Sequence, residues 1–147
     1  MELGVYIGET IRNVAANVPE AKCYGVDRID RVKSQGNITM YEMDTQKYLS
    51  SQAGKDGPFN VAYIDADHAF DAVCTDFRGL WPFMADQSLI FLDDTWPGTK
   101  ADTVPGLCND AYRMHGWLRD GGYENVTIPC EPGLTIVRKF RTHLGWS

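Results

Sequence analysis

The sequence is short of cysteine, of positive charge and of long apolar runs, and each shortage closes off a class of function. Its cysteines are Cys23, Cys74, Cys108 and Cys130, scattered along 147 residues. Zinc sites and redox centres place cysteines in close pairs, so this spacing reads as free thiols, with Cys74 on an apolar helical stripe and Cys23 inside a strand. Lysine and arginine total 14 against 20 aspartates and glutamates, a net charge of −6. A nucleic-acid backbone or an anionic membrane repels such a chain unless a basic patch intervenes. The cluster Arg138, Lys139 and Arg141 is too short to be one and reads as a solvated strand end. No apolar run approaches the roughly 20 residues of a membrane span, and the first residues lack the charged-then-apolar layout of a secretion signal. Internal repeats and low-complexity tracts are also missing. These exclusions lead to the expectation of a soluble cytoplasmic protein.

What is present is a core-forming composition, 44% hydrophobic, in a length suited to one domain over residues 1–147. Strand and helix signals alternate, the pattern of a parallel sheet covered on both faces. An apolar strand opens the chain, and Ile11, Val14, Ala15 and Val18 then recur at helical spacing up to Pro19. Residues 21–26 form a second strand ending on Asp27, and Asn37–Met43 a third ending on Asp44. A short helix from Thr45 to about Ser51 precedes a turn over residues 54–58. Phe59–Ile64 lacks polar alternation, as a strand buried on both faces does, and delivers Asp65. Phe70, Val73, Cys74, Phe77, Leu80 and Trp81 mark one face of a helix that Pro82 ends. Ser88–Leu92 is the next strand and delivers Asp93 and Asp94. A loop over Thr95–Gly106 leads to a helix from about Leu107 to Arg119, and Tyr123–Ile128 with Leu134–Lys139 closes the sheet as an antiparallel pair. The expected fold is α/β: Rossmann-like, doubly wound, seven-stranded and mostly parallel.

The first ten residues carry the sharpest signal. Gly4 and Gly8 allow a tight turn from the first strand into a helix N-terminus, where free N–H groups and the helix dipole attract a carboxylate or phosphate. Asp27, at the end of the second strand, suits ribose hydroxyls. A dinucleotide fingerprint places glycine two residues after the first, so that backbone can approach a pyrophosphate; this chain has Tyr6 there. That bulk argues against NAD and for an adenosine cofactor without phosphates, which S-adenosylmethionine is. An NAD-using or nucleotide-sugar oxidoreductase on a similar sheet is the alternative.

Five pieces in order extend the signal along the chain: Glu2-Leu3-Gly4-Val5-Tyr6-Ile7-Gly8, Tyr24-Gly25-Val26-Asp27, Val61-Ala62-Tyr63-Ile64-Asp65-Ala66-Asp67-His68, Leu89-Ile90-Phe91-Leu92-Asp93-Asp94-Thr95 and Gly121-Gly122-Tyr123-Glu124. Together they resemble class I S-adenosylmethionine-dependent methyltransferases, in the O-methyltransferase branch that includes caffeoyl-CoA, catechol and macrocin types. The resemblance implies cofactor contacts at Glu2, Gly4, Tyr6, Gly8 and Thr10 around the turn, and at Asp27, Asp44 and Asp65 along the strand ends. It also implies helices ahead of the first strand; this sequence starts at the strand. Cover from a second copy is therefore expected, a homodimer closing near the Thr95–Gly106 loop or along the helix layer. A non-catalytic S-adenosylmethionine-binding module is the other alternative.

In an open α/β sheet, ligands sit beyond the carboxyl ends of the strands, where Asp27, Asp44, Asp65, Asp93 and Asp94 all fall. Asp44 either receives the adenine amine, as the resemblance implies, or caps the helix from Thr45. Asp65, Asp93 and Asp94 come from neighbouring strands and would repel if left unpaired. All-oxygen ligation points to Mg2+, Ca2+ or Mn2+, which the resemblance also implies; the other reading is that one acid caps a helix or accepts loop amides and no metal binds. His68, in the first turn of the next helix, is placed for a general base whose pKa the helix N-terminus lowers; its other reading is an exposed surface residue. The expected reaction is in-line methyl transfer to a hydroxyl of a catechol or sugar diol, with Asp65 and His68 at the reacting centre.

Overall fold

The computed structural model describes residues 1–96, 110–130 and 132–140. Most of the Thr95–Gly106 loop, the helix start at Leu107, Cys108 and the C-terminal tail lie outside them. The described elements are β1 (Glu2–Leu3), α1 (Glu9–Asn17), β2 (Cys23–Asp27), β3 (Ile38–Glu42), α2 (Thr45–Ser51), α3 (Ala53–Asp56), β4 (Phe59–Ile64), α4 (Phe70–Leu80), β5 (Met84–Asp93), α5 (Met114–Asp120), β6 (Glu124–Ile128) and β7 (Leu134–Phe140). One seven-stranded sheet runs in the order β3-β2-β1-β4-β5-β7-β6. The first five strands are parallel, and β7 lies antiparallel between β5 and β6. The α/β reading and the closing antiparallel pair hold.

Strand alternation splits the core in two. Leu3, Val26, Ile64, Ile90, Leu92 and Val137 meet Tyr48 of α2, Phe77 and Leu80 of α4, and Met114 and Leu118 of α5 on one face. On the other, Ile11 and Ala15 of α1 pack with Cys23, Ile38 and Met40. Among the described residues, that second layer reaches only the β1–β3 side. β4 consequently buries one face alone, and Val61 is 52% exposed. The unbroken apolar run of β4 thus belongs to a strand covered on one side.

Other boundaries moved where tertiary contacts outweighed local signals. The expected turn over residues 54–58 begins as α3, held by fully buried Ala53 and by a 2.9 Å hydrogen bond from the Tyr48 hydroxyl to Asp56. β5 starts four residues early because it zips along β7 from Gln87 to Asp93 and meets Phe59 of β4 at Met84. Lys139 is no solvated strand end: its ammonium donates to the carbonyls of Trp81 and Met84, at 2.9 and 2.7 Å.

Candidate active site

Gly4 (φ 85°) and Gly8 (φ 79°) adopt left-handed backbone, and Gly8 is the N-cap of α1. Both glycines first serve packing: a Cβ on Gly8 would stand 2.4 Å from Val32 Cγ2. Tyr6, also left-handed at φ 48°, is 66% exposed beneath the Arg31 guanidinium, 5.2 Å from its ring centre. Asp27 Oδ2 accepts the amides of Val5 and Tyr6 at 3.0 and 2.8 Å, and Oδ1 accepts that of Ile29 at 3.0 Å. Burial works against its charge, but these three amides win and hold the carboxyl below the usual carboxylate range. Asp27 therefore ties the glycine turn to β2 and stays ionised, with lone pairs left on Oδ1.

Beside it lies a cleft of about 360 Å³, lined by Gly4, Asp27, Asp44, Gln46, Asp71 and Asp76 among others. Asp44 caps α2, accepting from Gln46 N at 2.9 Å, and also lines this cleft. Glu2 and Thr10 face elsewhere, into an apolar cavity of about 830 Å³ between α1 and β4 that Val14, Tyr24 and Phe59 help to line. The side-chain alternation of β1 explains Glu2, and the far side of α1 explains Thr10. Glu2 is 5% exposed, and burial is the main cause that pushes its carboxyl up to about 7.

At the ends of β4 and β5, ligand atoms of Asp65, His68 and Asp94 lie within 4.8 Å of one another. Asp94 Oδ2 is in direct contact with His68 Nδ1. Asp93, the third expected metal ligand, is engaged otherwise: Oδ2 accepts the Tyr63 hydroxyl at 2.8 Å and Oδ1 the Asp94 amide at 2.9 Å. Burial, then the Asp93 and Asp94 charges, push Asp65 up to about 7. His68 also departs from the sequence reading. It precedes α4, whose N-cap is Ala69, and the hydrogen bond its ring donates to the Asp94 carboxylate raises its pKa although burial opposes. Of these three, the carboxylates of Asp65 and Asp94 are the oxygen donors that could hold a hard cation.

Three contributors carried no local signal. Tyr63 reaches Asp93 only through the β4–β5 register. Asp76, 3% exposed within an apolar helical stripe, accepts from Thr45 Oγ1 at 2.8 Å and fixes the start of α2. Asp110 accepts the Phe70 amide, while its own amide and that of Ala111 donate to the His68 carbonyl at 3.1 and 3.0 Å. An acid forty residues downstream thus closes the loop that presents His68. His115 contacts Thr127, away from the site. No helix among the described residues is long and apolar enough to cross a membrane.

No curated protein matches the sequence. Among solved structures, MycE methyltransferase from the mycinamycin biosynthetic pathway, in complex with Mg, SAH and mycinamycin VI, superposes with a TM-score of 0.75 at 21% identity over 98% of this chain and 45% of its own. A candidate caffeoyl-CoA O-methyltransferase from Staphylococcus aureus gives 0.73 at 16% identity over 94% and 74% of the two chains. A fibrillarin/Nop5p complex gives 0.66 at 15% identity, covering 96% of this chain and 71% of that one. The chain spans less than half the length of the MycE structure, and at these identities the likeness is one of fold. A family described as a methyltransferase domain matches residues 1–95, about two thirds of the sequence, and the chain belongs to that family.

Proposed function

We propose that the protein binds S-adenosylmethionine and transfers its methyl group to a hydroxyl of a small molecule, a catechol or a sugar diol. The observation that carries this is the meeting of Asp65, His68 and Asp94 within 4.8 Å at the strand ends, beside the cleft that Asp27 and Asp44 line. Asp27 faces the ribose hydroxyls through Oδ1, and Asp44 the adenine amine. Support comes from the MycE structure, which holds Mg and SAH.

Asp65 and Asp94 are the residues that would hold a divalent cation, Mg2+ first. When bound, such an ion lowers the pKa of an attached hydroxyl. His68 Nε2 takes the hydroxyl proton, while Asp94 on Nδ1 fixes the ring. The methyl group then passes in line from sulfonium to oxygen, which leaves the thioether as product. The acidic rim disfavours nucleic acid as acceptor. Free Cys23, Cys74 and Cys130 suit the cytoplasm, and residues 1–147 act as one unit.

Self-association completes the proposal. Val61 and Tyr63 of β4, Leu89 and Phe91 of β5, Ile136 and Arg138 of β7, and Glu124 and Val126 of β6 share the face that α1 leaves bare. Val126 is 57% exposed there. Glu124 and Arg138 are cross-strand partners at one height. The two already pair within the chain, Arg138 Nη2 to Glu124 Oε1 at 2.6 Å, so the face is apolar with its charges neutralised, and a second copy presenting the same face is the occupant that suits it.

Calorimetry with S-adenosylhomocysteine and with NAD tests the cofactor. The demethylated product is expected to bind and NAD not to. Asp27→Asn keeps an oxygen for the Val5 and Tyr6 amides but loses the charge, and should weaken product binding about 10- to 100-fold. Preference for NAD, or unchanged affinity in the variant, overturns the assignment; cofactor binding without transfer to any diol leaves a binding module.

A further inference from the structure

Asp94 stands in the left-handed backbone region, at φ 56°. A residue with a side chain stays there only when its surroundings hold it, and strain of this kind is kept where it aims a group. The holding contacts are specific. Asp93 Oδ1 accepts the Asp94 amide at 2.9 Å, closing a tight turn at the end of β5. Asp93 Oδ2 accepts the Tyr63 hydroxyl at 2.8 Å. In the β4–β5 register Tyr63 lies opposite Phe91, so Asp93, two residues on, is its diagonal neighbour on the same face. With both oxygens of Asp93 engaged, the carboxylate of Asp94 turns across the rim to His68 Nδ1.

Each link is directional. A carboxylate with one anchor rotates about χ2, and one with an anchor on each oxygen does not. Tyr63 supplies the second anchor.

We propose that Tyr63 is a positioning residue of the reacting centre, acting through Asp93 to hold the Asp94 turn and so to aim the Asp94 carboxylate at His68 and at a cation shared with Asp65. The inference rests on the reading of Asp65, His68 and Asp94 as the methyl-transfer centre. Asp93 is, in this arrangement, a support of the ligand next to it and not itself the third ligand.

Tyr63→Phe keeps the ring between its strand neighbours and deletes only the hydroxyl. Mn2+ binding, read by electron paramagnetic resonance, should weaken about 10- to 100-fold, the range for lost supports of metal ligands. The backbone amide resonance of Asp94 should move upfield as its bond to Asp93 loosens. Thermal midpoint and affinity for S-adenosylhomocysteine should stay near wild type, which a general loss of structure would not allow. Asp93→Asn retains an oxygen for the Asp94 amide and an amide group that the Tyr63 oxygen can accept, so it should largely preserve both signals. Should the phenylalanine variant fail to fold, Asp93→Ala removes the same bridge and is expected to give the same losses.

Wild-type Mn2+ affinity with an unmoved Asp94 resonance in Tyr63→Phe overturns the proposal. So does loss of metal in Asp93→Asn while Tyr63→Phe keeps it, since Asp93 is then a ligand and Tyr63 a bystander. If the wild-type protein binds no Mn2+, the metal reading fails by itself and the Asp94 resonance alone decides: movement in Tyr63→Phe upholds the positioning role, and constancy removes it.

Discussion

A Cβ built on Gly4 would stand 2.2 Å from the carbonyl oxygen of Asp65. The glycine that opens the turn into α1 and the acid that follows β4 are thus in backbone contact, and the turn and the Asp65–His68–Asp94 cluster share one support.

Because the obstacle is backbone and φ is 85°, nothing can yield cheaply. Gly4→Ala is expected to cost about 3 kcal/mol or more of stability by urea denaturation. Gly36→Ala is the control: it is left-handed too, at φ 56°, but meets nothing within 4 Å, and should cost only about 1–2 kcal/mol. Equal losses would show that strain, and not the contact with Asp65, decides.

His68 must be neutral to take a proton, and the bond it donates to the Asp94 carboxylate raises its pKa. Turnover should therefore rise with pH through a midpoint above the ordinary imidazole value, about 6.5. His68→Ala should lower turnover about 10²- to 10⁴-fold with cofactor affinity unchanged. A fully active alanine variant at neutral pH would return His68 to a surface role.

Burial is the main cause that pushes the Glu2 carboxyl up to about 7 in the folded chain, from an ordinary 4.5. A folded pKa raised in this way favours the folded state most below about 4.5, and the advantage is lost as pH climbs through 7. Glu2→Gln keeps a neutral side chain at every pH. Its Tm should match wild type near pH 5 and exceed it at pH 8. A gap that does not widen with pH would show that Glu2 is solvated.

Light scattering at micromolar concentrations should give a dimer. Val126→Asp, placed on the bare face and away from either core cluster, should give a folded monomer. A wild-type monomer across that range removes the second copy as the occupant of this face.

Much of the fold was legible because the deciding forces were local. Turn glycines, helical spacing in α4 and acids at strand ends are written in order along the chain, and they place Asp27, Asp65 and Asp94 on one edge without reference to anything distant. The miss at α3 came from Tyr48 reaching Asp56, and the short reading of β5 from its pairing with β7.

The site divides along the same line. Local residue order determined that acids and a histidine share the rim of this protein, since parallel strands deliver their carboxyl ends to one edge. Tertiary structure decided what each one does: register gave Asp93 to Tyr63, a left-handed turn gave Asp94 to His68, and strand alternation turned Glu2 from the cleft into an apolar cavity. The physical reason is that hydrogen-bond partners and pKa values follow from distances between atoms on different strands, which chain order fixes only after the strands have packed.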